Sequence, residues 1–309
     1  MEKKKVIVDC DVGVDDALAL ILAFRSPELS VKAVTGVNGN VPLPQVFENI
    51  KKVLFLLKPE EAPLIARGAA EPLKGHRIYA FSVHGETGLG EAQIEMKEGT
   101  TWWCDRSVSA EDLILELAHR HPQEITLIAT GPLTNVALGV QKDLEGMKKL
   151  KRVIVMGGAV RVSGNVTPHA EFNFYVDPLA ARIVFESGLP LTLVPLDVTH
   201  QVFFTPSLLE ERVIPLGNPF SSFVIDAIGY DLERHTFRRK GVIYLHDPLA
   251  VGVAIDEALV KTVKLTLRVE AEDEERFGAL EEIGNGPSLD VCLEVDAKKF
   301  LELFLSRLR

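Results

Sequence analysis

Short apolar runs rich in β-branched residues alternate along the chain with longer stretches of helical periodicity. That alternation restricts the possible folds more than any other property of the sequence. Residues 5–8 read as a first strand. Residues 15–25 follow with apolar side chains at 17, 18, 20, 21, 22 and 24, the broad apolar face of a helix laid on a sheet. A second strand is expected at 31–35, and further strands at 125–129, 153–156 and 191–194, these three apolar and short enough for a parallel sheet covered on both faces. A helix over 44–57 has Pro44 near its first position and Pro59 beyond its end. Another over 109–121 has Ser109 as N-cap and Asp112 in its first turn. Helices near 177–187, 206–213, 219–234 and 297–308, and strands near 262–269 and 289–295, complete the pattern. Repeated βα units predict one α/β domain over 1–309, an open, mainly parallel β-sheet flanked by helices. Two stretches, 74–106 and 231–244, lack periodicity. Loops that long inside a compact domain are expected to be mobile flaps beside a site.

The 309 residues carry 44 acidic against 34 basic side chains, a net charge of −10. That balance argues against a nucleic-acid backbone or an anionic membrane as partner. No apolar stretch approaches the roughly 18 residues of a membrane-spanning helix. The apolar run behind Lys3-Lys4-Lys5 is too short for a secretory core. Cys10, Cys104 and Cys292 are odd in number and far apart, the pattern of reduced, buried thiols in a cytoplasmic protein. Phosphate-binding P-loop, nucleophile-elbow, zinc-protease and dinucleotide fingerprints are all missing.

The chemistry concentrates in Asp9-Cys10-Asp11-Val12-Gly13-Val14-Asp15-Asp16, four carboxylates where a buried strand meets a helix. In an open α/β sheet this is the carboxyl edge, where ligands bind. If the strand continues far enough, alternation puts Asp9 and Asp11 on the same side. The helix dipole offsets part of the repulsion at Asp15 and Asp16, but hardly that of four charges. Carboxylates packed this closely share a proton or bind a cation. Oxygen ligands without a Cys or His pair favour Ca²⁺ or Mg²⁺ over zinc.

This run resembles the signature of the inosine–uridine nucleoside hydrolase family, whose usual form has Pro where this chain has Val12. Other segments resemble the family in order. They are Gly39-Asn40, reached through a less usual Val37-Asn38, then Val83-His84-Gly85-Glu86-Thr87-Gly88 and Ala129-Thr130-Gly131-Pro132-Leu133-Thr134-Asn135. Met156-Gly157-Gly158, Gly164-Asn165, Glu171-Phe172-Asn173, Asp177-Pro178 and His246-Asp247-Pro248 follow. The resemblance covers nearly the whole chain.

The resemblance implies Ca²⁺-dependent hydrolysis of the N-glycosidic bond of ribonucleosides, releasing ribose and a purine or pyrimidine base. It implies a Ca²⁺ held by Asp11, Asp16, the Thr130 carbonyl and Asp247, with Asp11 as general base for the attacking water. Asp15, Asn40, Asn165, Glu171 and Asn173 resemble the ribose binders. An amide both donates and accepts, as a sugar hydroxyl does. Met156 is expected along the ribose, Phe172 beside it, and Asp9 behind the site, steadying donors. Such cleavage builds positive charge on the sugar, which carboxylates stabilise. The departing base needs a proton or a strong hydrogen bond, for which His246 and then His84 are the candidates. Purine-specific relatives have Trp at the positions of His246 and His84, so the histidines favour the inosine–uridine or pyrimidine branch. Trp102 and Trp103 are expected to pack or anchor a flap. The remaining histidines, His200 among them, are expected to be structural or surface groups. Relatives suggest a homodimer or homotetramer. Two rivals remain: a non-catalytic nucleoside- or ribose-binding module, and a haloacid-dehalogenase-type phosphatase with Asp9 as nucleophile. The phosphatase leaves Asp15-Asp16, Glu171-Phe172-Asn173 and His246-Asp247 unexplained.

Overall fold

The computed structural model describes residues 3–90, 92–97, 99, 101–234 and 242–309. Its centre is a nine-stranded sheet. The strands in chain order are β1 (Lys4–Cys10), β2 (Leu29–Gly36), β3 (Leu64–Arg67), β4 (Cys104–Ser109), β5 (Ile125–Ala129), β6 (Arg152–Met156) and β7 (Leu191–Val194), then β10 (Val260–Leu265) after one small ladder, β8 (Phe203–Phe204) with β9 (Ile243–Tyr244), and β13 (Leu289–Val295) after a second, β11 (Leu267–Val269) with β12 (Leu280–Glu282). Across the sheet they lie in the order β10-β13-β7-β6-β5-β1-β2-β3-β4. Every pairing is parallel except the β10–β13 edge. The chain runs outward from β1 through β2, β3 and β4, then returns to the other side of β1 with β5. The crevice at this reversal is where open α/β sheets bind ligands.

Strand alternation builds two cores. Val6, Val8 and Cys10 of β1 face one, beneath helices Val14–Phe24, Leu43–Leu57, His246–Ile255 and Ala297–Arg307. Ile7 faces the other, beneath helices Ala110–Arg120, Thr134–Lys142 and Pro178–Glu186. The expected helix starts are as the caps require. Ser109 Oγ accepts from the amide of Asp112, and Asp177 accepts from Ala180 behind Pro178.

The structure differs from expectation in several places. The single strand expected at 262–269 divides at Thr266. Its first half is the antiparallel edge β10, and its second, β11 (Leu267–Val269), pairs with β12 (Leu280–Glu282) in a separate ladder. Helix His246–Ile255 gave no amphipathic signal because residues 247–255 are all buried, and a helix apolar on every side has no 3.6-residue contrast. β3 is only four residues long, between Pro63 and Gly68. The stretch 74–106 holds a short helix, Phe81–His84, and ends within β4. Of the stretch 231–244, residues 235–241, with the basic His235, Arg238, Arg239 and Lys240, lie outside the described residues. Cys10 and Cys292 are buried thiols, whereas Cys104 is exposed on the edge strand, so the expectation of three buried cysteines fails there. No helix among the described residues is long and apolar enough to cross a membrane.

Candidate active site

The carboxyl ends of β1, β2, β5 and β6 deliver their turns to one cavity of about 720 Å³, within the usual range for small-molecule sites. β1 stops at Cys10, so Asp9 is its last side chain on the second-core face. Asp9 pairs in register with Thr35, whose hydroxyl donates to its carboxylate at 2.5 Å, and Asn135 Nδ2 donates to the same oxygen at 2.8 Å. Asn135 Oδ1 accepts from the Ala69 amide at 2.8 Å, so Asp9 braces three strand-end turns. Asp11 lies beyond the strand, where alternation no longer applies, and it does not share Asp9's surroundings. Its Oδ2 accepts from the Asn40 amide at 2.6 Å. A Cβ on Gly39 would stand 2.0 Å from that oxygen, so only glycine lets the β2 turn close over Asp11.

Asp15 and Asp16 open helix Val14–Phe24. Asp16 accepts from the Gly13 amide at 2.9 Å, from Asn40 Nδ2 at 3.2 Å and from the Thr130 hydroxyl at 2.8 Å. Asp15 Oδ2 accepts from the Asp247 amide at 3.0 Å, tying the first helix to the start of helix His246–Ile255. Burial raises the carboxyls of Asp11, Asp15, Asp16 and Asp247, Asp15 to about 8. Among the described residues, the charged neighbours that shift Asp11, Asp15 and Asp247 are all carboxylates. Asp11 Oδ1 and Asp15 Oδ1 are buried without a partner among the described residues.

On the far wall, Glu171 caps helix Phe172–Val176. It accepts from Asn173 at 2.9 Å, from Phe174 at 3.3 Å and from Gly158 at 2.9 Å. Burial pushes its carboxyl up to about 7 against these bonds. Asn173 Nδ2 donates to the Thr130 carbonyl at 2.7 Å and to the Met156 carbonyl at 3.2 Å, with Met156 Sδ at 3.6 Å. Asn165 Oδ1 accepts from the Phe172 amide at 3.0 Å. Asp15, Asn40, Thr130, Met156, Asn165, Glu171, Phe172, Asn173, His84, His246 and Asp247 all border the cavity, with Asp11 and Asp16 fully buried behind them.

The two histidines sit differently. The Val14 amide donates to His84 Nδ1 at 3.1 Å. An amide can only donate, so Nδ1 carries no hydrogen and the ring is neutral with its hydrogen on Nε2. Burial holds its pKa down to about 4, in agreement. His84 therefore offers a hydrogen bond rather than a proton. His246 Nδ1 lies 2.7 Å from the buried Thr199 hydroxyl, and its ring packs 5.6 Å from His200 and 5.4 Å from Tyr244. Tyr244 is delivered by a two-residue strand, β9 (Ile243–Tyr244), paired antiparallel with β8 (Phe203–Phe204). Neither Thr199 nor Tyr244 carries a motif that sequence reading would single out. His200 was expected outside the site, yet it lines the cavity beside His246. Trp103 packs against the first core, and neither Trp102 nor Trp103 is among the described residues lining the cavity.

Among the described residues no three His, Cys, Asp or Glu side chains form a ready coordination shell. The donor set nevertheless fits a hard cation. It offers unpartnered buried carboxylate oxygens and a backbone carbonyl at Thr130, with no cationic side chain among the described residues to balance them.

A family profile described as inosine-uridine preferring nucleoside hydrolase matches residues 6–302. The pyrimidine-specific ribonucleoside hydrolase RihA of Salmonella arizonae is 39% identical over 312 residues, covering 98% of this chain and 98% of that protein. Among solved structures, the plant nucleoside hydrolase PpNRh1 superposes with a TM-score of 0.92 at 32% identity, covering 99% of each chain. A purine-preferring ribonucleoside hydrolase from Gardnerella vaginalis gives 0.90 at 30% identity, covering 99% of this chain and 98% of that one.

Proposed function

Since the chain belongs to the inosine-uridine preferring nucleoside hydrolase family, and so is an N-glycosyl hydrolase of ribonucleosides, we propose that it works with Ca²⁺ and with Asp11 as general base, and that it prefers pyrimidine nucleosides. The observation that carries the reading is the group of buried carboxylates Asp11, Asp15, Asp16 and Asp247, among whose charged neighbours in the described residues there is no cationic side chain. Asp11, Asp16, Asp247 and the Thr130 carbonyl would hold the ion. When bound, it would grip the ribose 2′- and 3′-hydroxyls and make a water easier to deprotonate.

The protein's own groups account for the remaining steps. Asp11 Oδ1 has no hydrogen-bond donor among the described residues and is available to take the proton of the attacking water. Asp15, Asn40, Asn165, Glu171 and Asn173 orient the sugar, with Met156 and Phe172 against its apolar surface. As the glycosidic bond lengthens, positive charge grows on the ribose, and the surrounding carboxylates stabilise it. The bonding electrons leave with the base. His246 supplies the proton they require, and His84 Nε2–H, also bordering the cavity, supplies a neutral hydrogen bond.

Preference for pyrimidines is supported by the name of the 39%-identical relative and by histidine at positions 84 and 246. The test is ribose release from uridine, cytidine, inosine, adenosine and 2′-deoxyuridine. Uridine and cytidine should lead and 2′-deoxyuridine should trail, because it leaves buried polar groups unpaired. Equal or better turnover of the purines would overturn the preference. His246→Ala should slow uridine by about 10²-fold or more while sparing an activated aryl riboside whose leaving group needs no proton. An equal loss on both substrates would remove the acid role. The same reading has the enzyme acting in the cytoplasm on free nucleosides as a homodimer or homotetramer, which light scattering can check.

A further inference from the structure

Helix Leu43–Leu57 turns an apolar face to the first core, with Val46, Phe47, Ile50, Val53 and Leu54 buried. One polar side chain interrupts that face: Asn49, with no exposed surface. A buried amide is costly unless its groups are hydrogen-bonded, and here they are. Nδ2 donates to the Val12 carbonyl at 3.0 Å and to the Thr87 carbonyl at 2.7 Å, while Oδ1 accepts from Gln45 Nε2 at 2.9 Å. The orientation is forced, because the opposite one would aim Oδ1 at two carbonyl oxygens. Asn49 thus joins the Val12 carbonyl, one residue beyond Asp11, to the loop that carries His84.

The loop lies flush on the aspartate turn. A Cβ on Gly88, where φ is +82°, would stand 2.8 Å from Asn49 Nδ2 and 3.1 Å from the Val12 carbonyl. A Cβ on Gly13 would stand 2.9 Å from His84 Nδ1. Leu89 is fully buried in the first core. With the bond from the Val14 amide to His84 Nδ1, these contacts fix the His84 ring against the turn that holds the carboxylates.

We infer that Asn49 is a positioning residue for catalysis: its amide clamps the His84 loop onto the aspartate turn and so sets where His84 Nε2–H meets the leaving base. The inference rests on the reading of His84 as a donor to that base. A group displaced by an ångström or so loses up to about 10²-fold in rate. Asn49→Leu is therefore expected to lower kcat/KM for uridine by about tenfold to a hundredfold, mostly in kcat. Asn49→Asp keeps the shape and loses the donors, so it should lose as much; it also serves if the leucine variant does not fold.

The deciding measurement is a double-mutant cycle with His84→Ala, followed by kcat and KM on uridine and by the thermal unfolding midpoint. If Asn49 acts through His84, adding either Asn49 change to His84→Ala lowers kcat/KM less than about threefold further. Losses that multiply in the double variant, or an Asn49→Asp enzyme with unchanged kcat/KM, overturn the positioning role while leaving His84 in place. A His84→Ala enzyme of full activity overturns the reading of His84 itself, and the Asn49 role with it.

Discussion

Asp11→Asn lowers kcat/KM for uridine by at least about 10³-fold, while the cation-free variant unfolds at a temperature no lower than that of the cation-free parent. The size of the kinetic loss follows from two jobs meeting on one carboxylate. A positioned base contributes roughly 10²–10⁴-fold, and Asp11 also belongs to the oxygen set proposed to hold the cation. The stability half separates chemistry from folding. Asparagine keeps the shape and an oxygen for the Asn40 amide, whose bond to Oδ2 is 2.6 Å. It also removes a charge that burial and the neighbouring Asp16 already disfavour, and one that raises Asp247 in turn. Ribose release and a thermal unfolding curve on both proteins check the pair of expectations. Activity within about tenfold of the parent removes Asp11 as the base. A large fall in the unfolding midpoint assigns the loss to folding.

The turn that carries Asp11 was legible because its signal is local: an apolar strand, four acids and a helix start within a dozen residues. The relation of Asp9 to Asp11 was not. Alternation places them together only while the strand lasts, and β1 ends at Cys10, so Asp9 meets Thr35 and Asn135 while Asp11 meets Asn40. The motif His246-Asp247-Pro248 stood out, whereas the helix it begins did not, since uniform burial erases periodicity. His200 has no distinguishing neighbour in the sequence. It reaches the cavity because β8 and β9, far apart in the chain, pair Phe204 with Ile243 and turn that segment beside His246. A pairing of two residues from each strand leaves almost no trace in a sequence. Thr199 and Asn49 became visible for the same reason: their meaning lies in what they touch. A buried asparagine inside an apolar helix face is the one hint a sequence offers, and it needs the helix to be recognised first.

Chelation gives the second large effect, in which activity and stability move together. Stripping divalent cations should abolish ribose release, and Ca²⁺ should restore it. The stripped protein should also be less stable at pH 8 than at pH 5.5. Burial raises the folded-state carboxyls of Asp9 to about 7, of Asp15 to about 8 and of Glu171 to about 7, with Asp11 and Asp247 raised as well. In the unfolded chain these groups release their protons near pH 4. Between about pH 4 and pH 8 the folded, cation-free protein therefore binds more protons than the unfolded one, and stability falls as pH rises. A cation reverses the requirement, because its ligands must be ionised and protons compete with it. At a hundredfold excess over Kd it stabilises by about 2.7 kcal/mol, and the competition makes its effect larger at pH 8 than at pH 5.5. Unfolding midpoints with chelator and with Ca²⁺ at both pH values test this directly. A midpoint unmoved by Ca²⁺ at pH 8 removes the cation from these carboxylates. A stripped protein equally stable at both pH values shows instead that they remain ionised without it, held by the amide and hydroxyl donors of Asn40, Gly13 and Thr130.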